Sequence, residues 1–185
     1  MAITSPESFG DALDELITGV DDRGKFYPIE KLEAHRASIR HLAISVFLFQ
    51  GGGLLLQQRA ATKYHAPLLW ANSACSHPRW QESPDACVVR TLHRELGIEI
   101  ATQAVARTYY EAQVGALFEN ELVDCYRGQL PADCALDTAQ PQEVAKLRIV
   151  GLDEIENDVK THPERYAPWF RIYVETGLVA ALFEA

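Results

Sequence analysis

The chain has 185 residues, 48% of them hydrophobic and 23% charged, with a formal net charge of −9. That length suits one domain with a sizeable core, and the acidic balance argues against partners such as nucleic acid or an anionic membrane surface. Four cysteines without paired spacing suggest reduced thiols, and no apolar run of membrane-spanning length or basic-then-apolar leader is seen, so a cytoplasmic protein is expected.

In chain order, Phe9, Leu13, Leu16 and Ile17 fall at helical spacing and predict a short amphipathic helix over 7–20. Residues 21–24 read as a turn, and 29–34 as a helical turn that delivers His35. His41 to Phe49 is rich in β-branched and aromatic residues and too apolar to face water on either side, which predicts a central strand. Gly51 to Gly53 turns the chain, and Leu54 to Arg59 returns as a second strand.

The stretch from Leu69 to Ile98 is the richest in chemistry. Its helix is legible: Ser83 as N-cap, Pro84 at the first helical position, Asp85 at the positive end, Val88, Leu92 and Leu96 on one face, and Gly97 as terminator. Strands are expected within 99–110, over 119–126 and over 144–152. Residues 128–140 read as irregular, 153–166 as an acidic stretch with Pro163, and an amphipathic helix follows from Pro168, weakened by Gly177. The alternation predicts an α+β fold with a mixed sheet between helices.

Candidate chemistry gathers on a few residues. His35, His41 and His77 with Glu119 and Glu121 form a donor inventory that suits zinc, manganese or iron. Period two places Glu119 and Glu121 on one strand face, where they repel unless a cation or basic partner lies between them; a solvated strand face is the alternative. Arg59 and Lys63 are basic groups close together in an acidic chain, suited either to phosphate oxygens or to a solvated loop. Cys75 and His77, two apart and followed by Pro78, fit a reactive loop or a buried thiol beside a loop-capping imidazole.

At this point the motifs resemble the Nudix superfamily and, within it, the type I isopentenyl-diphosphate isomerases. The Nudix frame stands as Ser76, Glu82, Arg90, Thr91, Leu92, Arg94, Glu95, Gly97 and Ile98. Ser76 replaces its leading Gly, and Thr91 and Arg94 replace two of its glutamates. The isomerase motifs stand as Trp70-Ala-Asn72-Ser-Ala-Cys75-Ser-His77-Pro78, Gln57 to Lys63, His41 to Phe49 and Glu119-Asn-Glu121. Together they span about residues 25 to 175.

The resemblance implies a single Nudix-type domain over 1–185, with a Nudix core at about 38–155, N- and C-terminal elaborations and a C-terminal helix at about 167–183. It implies that His35, His41, His77, Glu119 and Glu121 ligate one divalent metal, Mn2+ or Zn2+, and that Glu95 holds a Mg2+ ion bridging to the substrate diphosphate. Arg59, Lys63 and Ser76 would contact the substrate, Trp169 would lie against its hydrocarbon, and Cys75 and Glu121, helped by Tyr109, would move protons. The partner is then a small-molecule diphosphate, and the protein a monomer or weak homodimer. An arginine common in bacterial relatives at the position of Thr91 is absent, leaving Arg90 or Arg94 to substitute. The gap from His35 to His41 is one residue short, and Gln81 replaces a Gly common before Glu82. The alternative is a Nudix hydrolase of a nucleoside or prenyl diphosphate, which the loss of carboxylates at 91 and 94 opposes.

Overall fold

The run from His41 to Gln50 forms strand β3, and nine of its ten residues are buried. A strand apolar on both faces needs a layer on each side, and the computed structural model, which describes residues 15–185, supplies both. Its even-numbered side chains Ile44, Val46 and Leu48 pack against Cys87, Val88, Leu92 and Leu96 of helix α2 (Pro84–Leu96). Its odd-numbered Ala43, Phe47 and Phe49 share a second core with C-terminal residues such as Trp169, Phe170 and Tyr173. The result is the expected α+β architecture, a mixed sheet between helices.

Pairing to β3 places the chemistry. Strand β8 (Leu117–Gln129) runs parallel along one edge, with His41 opposite Glu121 and Phe49 opposite Gln129. The other edge is shared in turn by β1 (Leu16–Val20) at His41, β6 (Ala74–Ser76) at Ile44 to Val46, and β4 (Gly53–Arg59) at the far end. β2 (Phe26–Glu30) pairs with β1, β5 (Trp70–Ala71) and β9 (Val144–Val150) flank β4, and β7 (Thr102–Val114) pairs with β8. Directly paired residues share a face. Cys75 opposite Ser45 and Glu121 opposite His41 therefore lie on one face of the sheet, on either side of β3.

Helix α2 follows its sequence signals. The Ser83 hydroxyl accepts from the Ala86 amide at 3.2 Å, and Gly97 adopts φ +67. A Cβ at Gly97 would also stand 2.8 Å from the Thr138 carbonyl oxygen, so both conformation and space demand glycine there. Val88, Leu92 and Leu96 are each 1% exposed, a burial of about 1.5–3 kcal/mol per side chain.

Two expectations are corrected, and the acidic stretch gains a helix. Of the helix expected over 7–20, residues 7–14 lie outside the described residues, and Leu16–Val20 is strand β1, whose five residues all pair with β2. Ile17, Thr18 and Val20 are β-branched and buried, and strand pairing overrides the helical spacing. The acidic stretch from 153 carries helix α3 (Leu152–Thr161) after the short α1 (Lys31–Arg36) and α2; its fully buried residues are Ile155 and Val159. The helix expected at 167–183 is two, α4 (Pro168–Glu175) and α5 (Leu178–Glu184), because Gly177 takes φ +77 between them.

Candidate active site

Five donors from four elements converge. His35 comes from α1, His41 from the start of β3, His77 from the turn after β6, and Glu119 and Glu121 from β8. One ligand atom from each lies within 4.8 Å of all the others. The three imidazole centroids form a near-equilateral triangle with sides of 4.8, 5.0 and 4.9 Å. His35 directs Nδ1 to the Lys31 carbonyl and His41 directs Nδ1 to the Ile39 carbonyl, each at 2.7 Å. Those bonds fix each ring and turn its Nε2 lone pair towards the cluster, the arrangement metal-ligating histidines use.

The electrostatics match. Burial pushes the His35 pKa down to about 4 and that of His77 down to about 3, so both are neutral at pH 7. Burial and the neighbouring Glu121 charge push the Glu119 carboxyl well up. Burial also opposes ionisation of Glu121, but hydrogen bonds from Glu119 and His77, with His41 Nε2 close by at 3.5 Å, outweigh it and hold that carboxyl well down. The buried His41 Nε2 and His77 Nδ1 make no hydrogen bond. Neutral imidazoles, a strained carboxylate pair and an orphaned buried nitrogen aimed at them fit a divalent cation.

Cys75 lines the cavity beside this cluster with Ser76, Arg59, Lys63, Glu95 and Trp169. Burial pushes its thiol up to about 12, against the pull of Arg59, whose Nη1 lies 3.9 Å from the sulfur. Arg59 is 7% exposed, stacks 5.3 Å from the Trp169 ring centroid and donates Nε–H to the His65 carbonyl at 3.0 Å. Trp169 is pinned by its Nε1–H, which donates to Asn72 Oδ1 at 3.2 Å. Gln57 Nε2 donates to Glu95 Oε2 at 3.1 Å and so orients that carboxylate. Lys63 is buried against Glu143 in a close ion pair.

One predicted residue lies elsewhere. Tyr109 is 46% exposed, and its hydroxyl donates to Glu111 and, at 3.1 Å, to Asn120 Oδ1. The adjacent Tyr110 is 6% exposed, stands opposite Glu121 in the β7–β8 ladder and donates its hydroxyl to Glu121 Oε2 at 2.6 Å. Alternation decides between them: Tyr110 shares its face with Ala112 and Val114, which pack on the core, and Tyr109 points the other way. Arg90 and Arg94 separate as clearly. Arg90 is held by Glu82 through two 2.7 Å bonds and reaches the His77 carbonyl at 3.2 Å. Arg94 lines the cavity, with Nη2 3.6 Å from Glu95 Oε1 and its buried Nε 3.5 Å from Glu143 Oε1. Lys31, His65 and Glu143 also join the site, and no motif read in the sequence pointed to them.

Residues 39–171 match the NUDIX domain family. Among curated proteins, the chain is 48% identical over 153 residues to a protein of Cereibacter sphaeroides (strain KD131 / KCTC 12085) named isopentenyl-diphosphate Delta-isomerase, covering 82% of this chain and 86% of that one. A protein of the same name from Dinoroseobacter shibae is 47% identical with the same coverage. Among solved structures, a protein of Deinococcus radiodurans superposes with a TM-score of 0.72 at 14% identity, covering 88% of this chain and 98% of that one. A MutT protein of Methanosarcina mazei gives a TM-score of 0.58 at 17% identity, with 74% and 91% covered. At those identities the two structures speak to fold alone.

Proposed function

Because the chain belongs to the NUDIX family and, within it, to the isopentenyl-diphosphate Delta-isomerases, we propose that it moves the double bond of isopentenyl diphosphate to give dimethylallyl diphosphate, in isoprenoid biosynthesis. The observation that supports this best is the pairing of Cys75 and Glu121 on one sheet face, flanking β3, beside a cavity walled by Trp169. One proton is added to the terminal methylene carbon and one is lost from the carbon on the other side of the branch. An unactivated alkene is a poor base, so the cation-like state between these steps needs desolvation and an aromatic face. Trp169 supplies the face, held in orientation by Asn72. Cys75 and Glu121 are the two proton-transfer groups. Tyr110 takes the role expected of Tyr109, since its buried hydroxyl fixes Glu121 Oε2.

His35, His41, His77, Glu119 and Glu121 would hold one Mn2+ or Zn2+ ion, and Glu95, oriented by Gln57, would hold the substrate-bridging Mg2+ ion. Such ions would balance the paired carboxylates and the diphosphate charge. Arg59, Lys63 and Ser76 line the cavity where the diphosphate would bind. The hydrolase alternative is disfavoured by the same helix: Thr91 is buried away from solvent, and Arg94 sits beside Glu95 as a cation where a carboxylate would complete a hydrolytic shell. Among the described residues no helix is long and apolar enough to cross a membrane. The charge of −9 suits a small-molecule partner rather than nucleic acid or an anionic membrane surface, and the proposal is of a cytoplasmic enzyme, monomer or weak homodimer.

Incubation with isopentenyl diphosphate and magnesium in deuterated water tests the reading. Deuterium-labelled dimethylallyl diphosphate is expected without phosphate release; inorganic phosphate or a monophosphate product would establish the hydrolase instead. The place of Arg94 gives a second expectation. Arg94 stands at the cavity wall beside Glu95 and Glu143, where its guanidinium suits a phosphate oxygen, and a charged hydrogen bond is worth about 1.5–3 kcal/mol. Arg94→Ala should raise KM roughly 10–100-fold with kcat near that of the parent. Arg90→Ala should instead lower the melting temperature by freeing Glu82 and leave KM close to the parent's. Steady-state kinetics beside thermal melts separate the two, and a KM unmoved in Arg94→Ala removes that arginine from the diphosphate site.

A further inference from the structure

His65 lies in the loop between β4 and β5, a segment with no regular structure to hold it, yet it is 5% exposed. Three contacts fix it. Its Nε2 meets Glu119 Oε1. Its ring lies parallel to the Trp169 indole, at 7° and 5.8 Å between centroids. Its carbonyl receives the Arg59 Nε–H. His65 is not one of the five donors that close on a common point. It touches Glu119 Oε1, while the other oxygen, Oε2, stands 3.9 Å from His35 Nε2.

A carboxylate at the tip of a glutamate rotates unless something holds its far oxygen. In metal centres an outer donor that fixes a ligand in this way changes metal affinity by roughly 10–100-fold. Here the donor is itself held. The Asn72 side chain donates to the Val46 and Ala74 carbonyls and accepts from Trp169, and the indole lies against the His65 ring. A chain of contacts thus runs from the centre of the sheet through Trp169 and His65 to Glu119. We propose that His65 is a positioning residue of the metal centre, donating Nε2–H to Glu119 and thereby setting the carboxylate that the cluster presents to its ion. The proposal rests on the reading of the five-donor cluster as a divalent metal site. It also ties the hydrocarbon wall and Arg59 to that cluster through one residue.

Two substitutions divide the donor from the ring. H65Q keeps an N–H donor at about the reach of Nε2 and loses the ring against Trp169; H65F keeps the ring and loses the donor. Zn2+ and Mn2+ affinities of parent and variants are measured by competition with a chromophoric chelator, with thermal melts of the metal-free proteins alongside. H65F is expected to bind both ions roughly 10–100-fold more weakly, and H65Q to stay within about threefold of the parent. Parent-like affinity in H65F overturns the proposal and leaves the metal centre standing, as does a loss in H65Q equal to or larger than that in H65F, which would assign the effect to packing. A parent that binds neither ion overturns both readings together.

Discussion

Cys75→Ala is expected to lower kcat by about 10^3-fold or more while the protein keeps its fold and its divalent metal. The size of the loss follows from the chemistry: a positioned proton donor or acceptor contributes about 10^2–10^4-fold, and here there is no activated leaving group to sustain the reaction without it. The state of the thiol decides its part. Burial is the main reason its pKa is pushed up to about 12, and the charges of Glu95, Glu121 and Glu119 add to it, with only Arg59 opposing. At pH 7 the sulfur therefore carries its proton and is a proton reservoir rather than a nucleophilic thiolate. Glu121, across β3, is held ionised by hydrogen bonds from Glu119 and His77. One group arrives with a proton and the other without, as a double-bond shift requires. Metal content is the necessary control, since Cys75 is outside the five-donor cluster. Elemental analysis should show parent-like metal in Cys75→Ala, and turnover persisting in that protein would remove the thiol from the proton path.

Much of the site was legible because its chemistry sits at fixed registers. Glu119 and Glu121 alternate along one strand, His41 opens a strand buried over nine of its ten residues, and Ser83, Pro84 and Gly97 mark the ends of helix α2. Local spacing carries that information. The helix read over 7–20 shows the limit: Leu16 and Ile17 fit a helical stripe, but the pairing partners that make them a strand begin at Phe26. Tyr109 and Tyr110 show a second limit. Adjacent identical residues face opposite sides of a strand, and only the pairing of Tyr110 with Glu121 tells which faces inward. The register also shifts between Ala104 and Ala106, so counting back from the strand start would have given the wrong parity. Neither His65 nor Glu143 belongs to a motif read in the sequence. They reach the site through the loop after β4 and the residue before β9, and their roles come from partners far away in the chain. Conversely, the choice between Arg90 and Arg94 was open in sequence, and Glu82 occupying Arg90 while Arg94 lines the cavity favours Arg94.

The metal-free protein is expected to lose stability as pH falls from about 6.5, and to lose it faster below about 4.5. His35 and His77 are held neutral in the fold, with pKa values lowered to about 4 and about 3 by burial. In the unfolded chain both take up protons near pH 6.5. Below that point the unfolded state binds more protons than the native state, so stability falls with pH. For His35 alone the difference amounts to about 3 kcal/mol once pH 4 is reached, a large share of a typical total of about 5–15 kcal/mol. Glu119 works the other way. Its carboxyl is pushed up by burial and by Glu121, so its contribution is complete below the unfolded carboxyl value and is lost as pH rises. Between about pH 6.5 and 4.5 the two imidazoles outnumber this one carboxyl, and the net slope keeps the sign set by the histidines. Below about 4.5 the opposition ends, because the unfolded chain also protonates the residue. There Glu121, whose carboxyl is held down, begins to favour the unfolded state as well. Urea midpoints of the chelator-treated protein measured across this range should fall throughout and drop most steeply at the acid end. In Glu119→Gln the counterweight is gone, and the fall between pH 6.5 and 4.5 should steepen. Midpoints that stay level or climb as the solution is acidified would show that these imidazoles are not held neutral by the fold, and with that the case for a preformed nitrogen cage would fail.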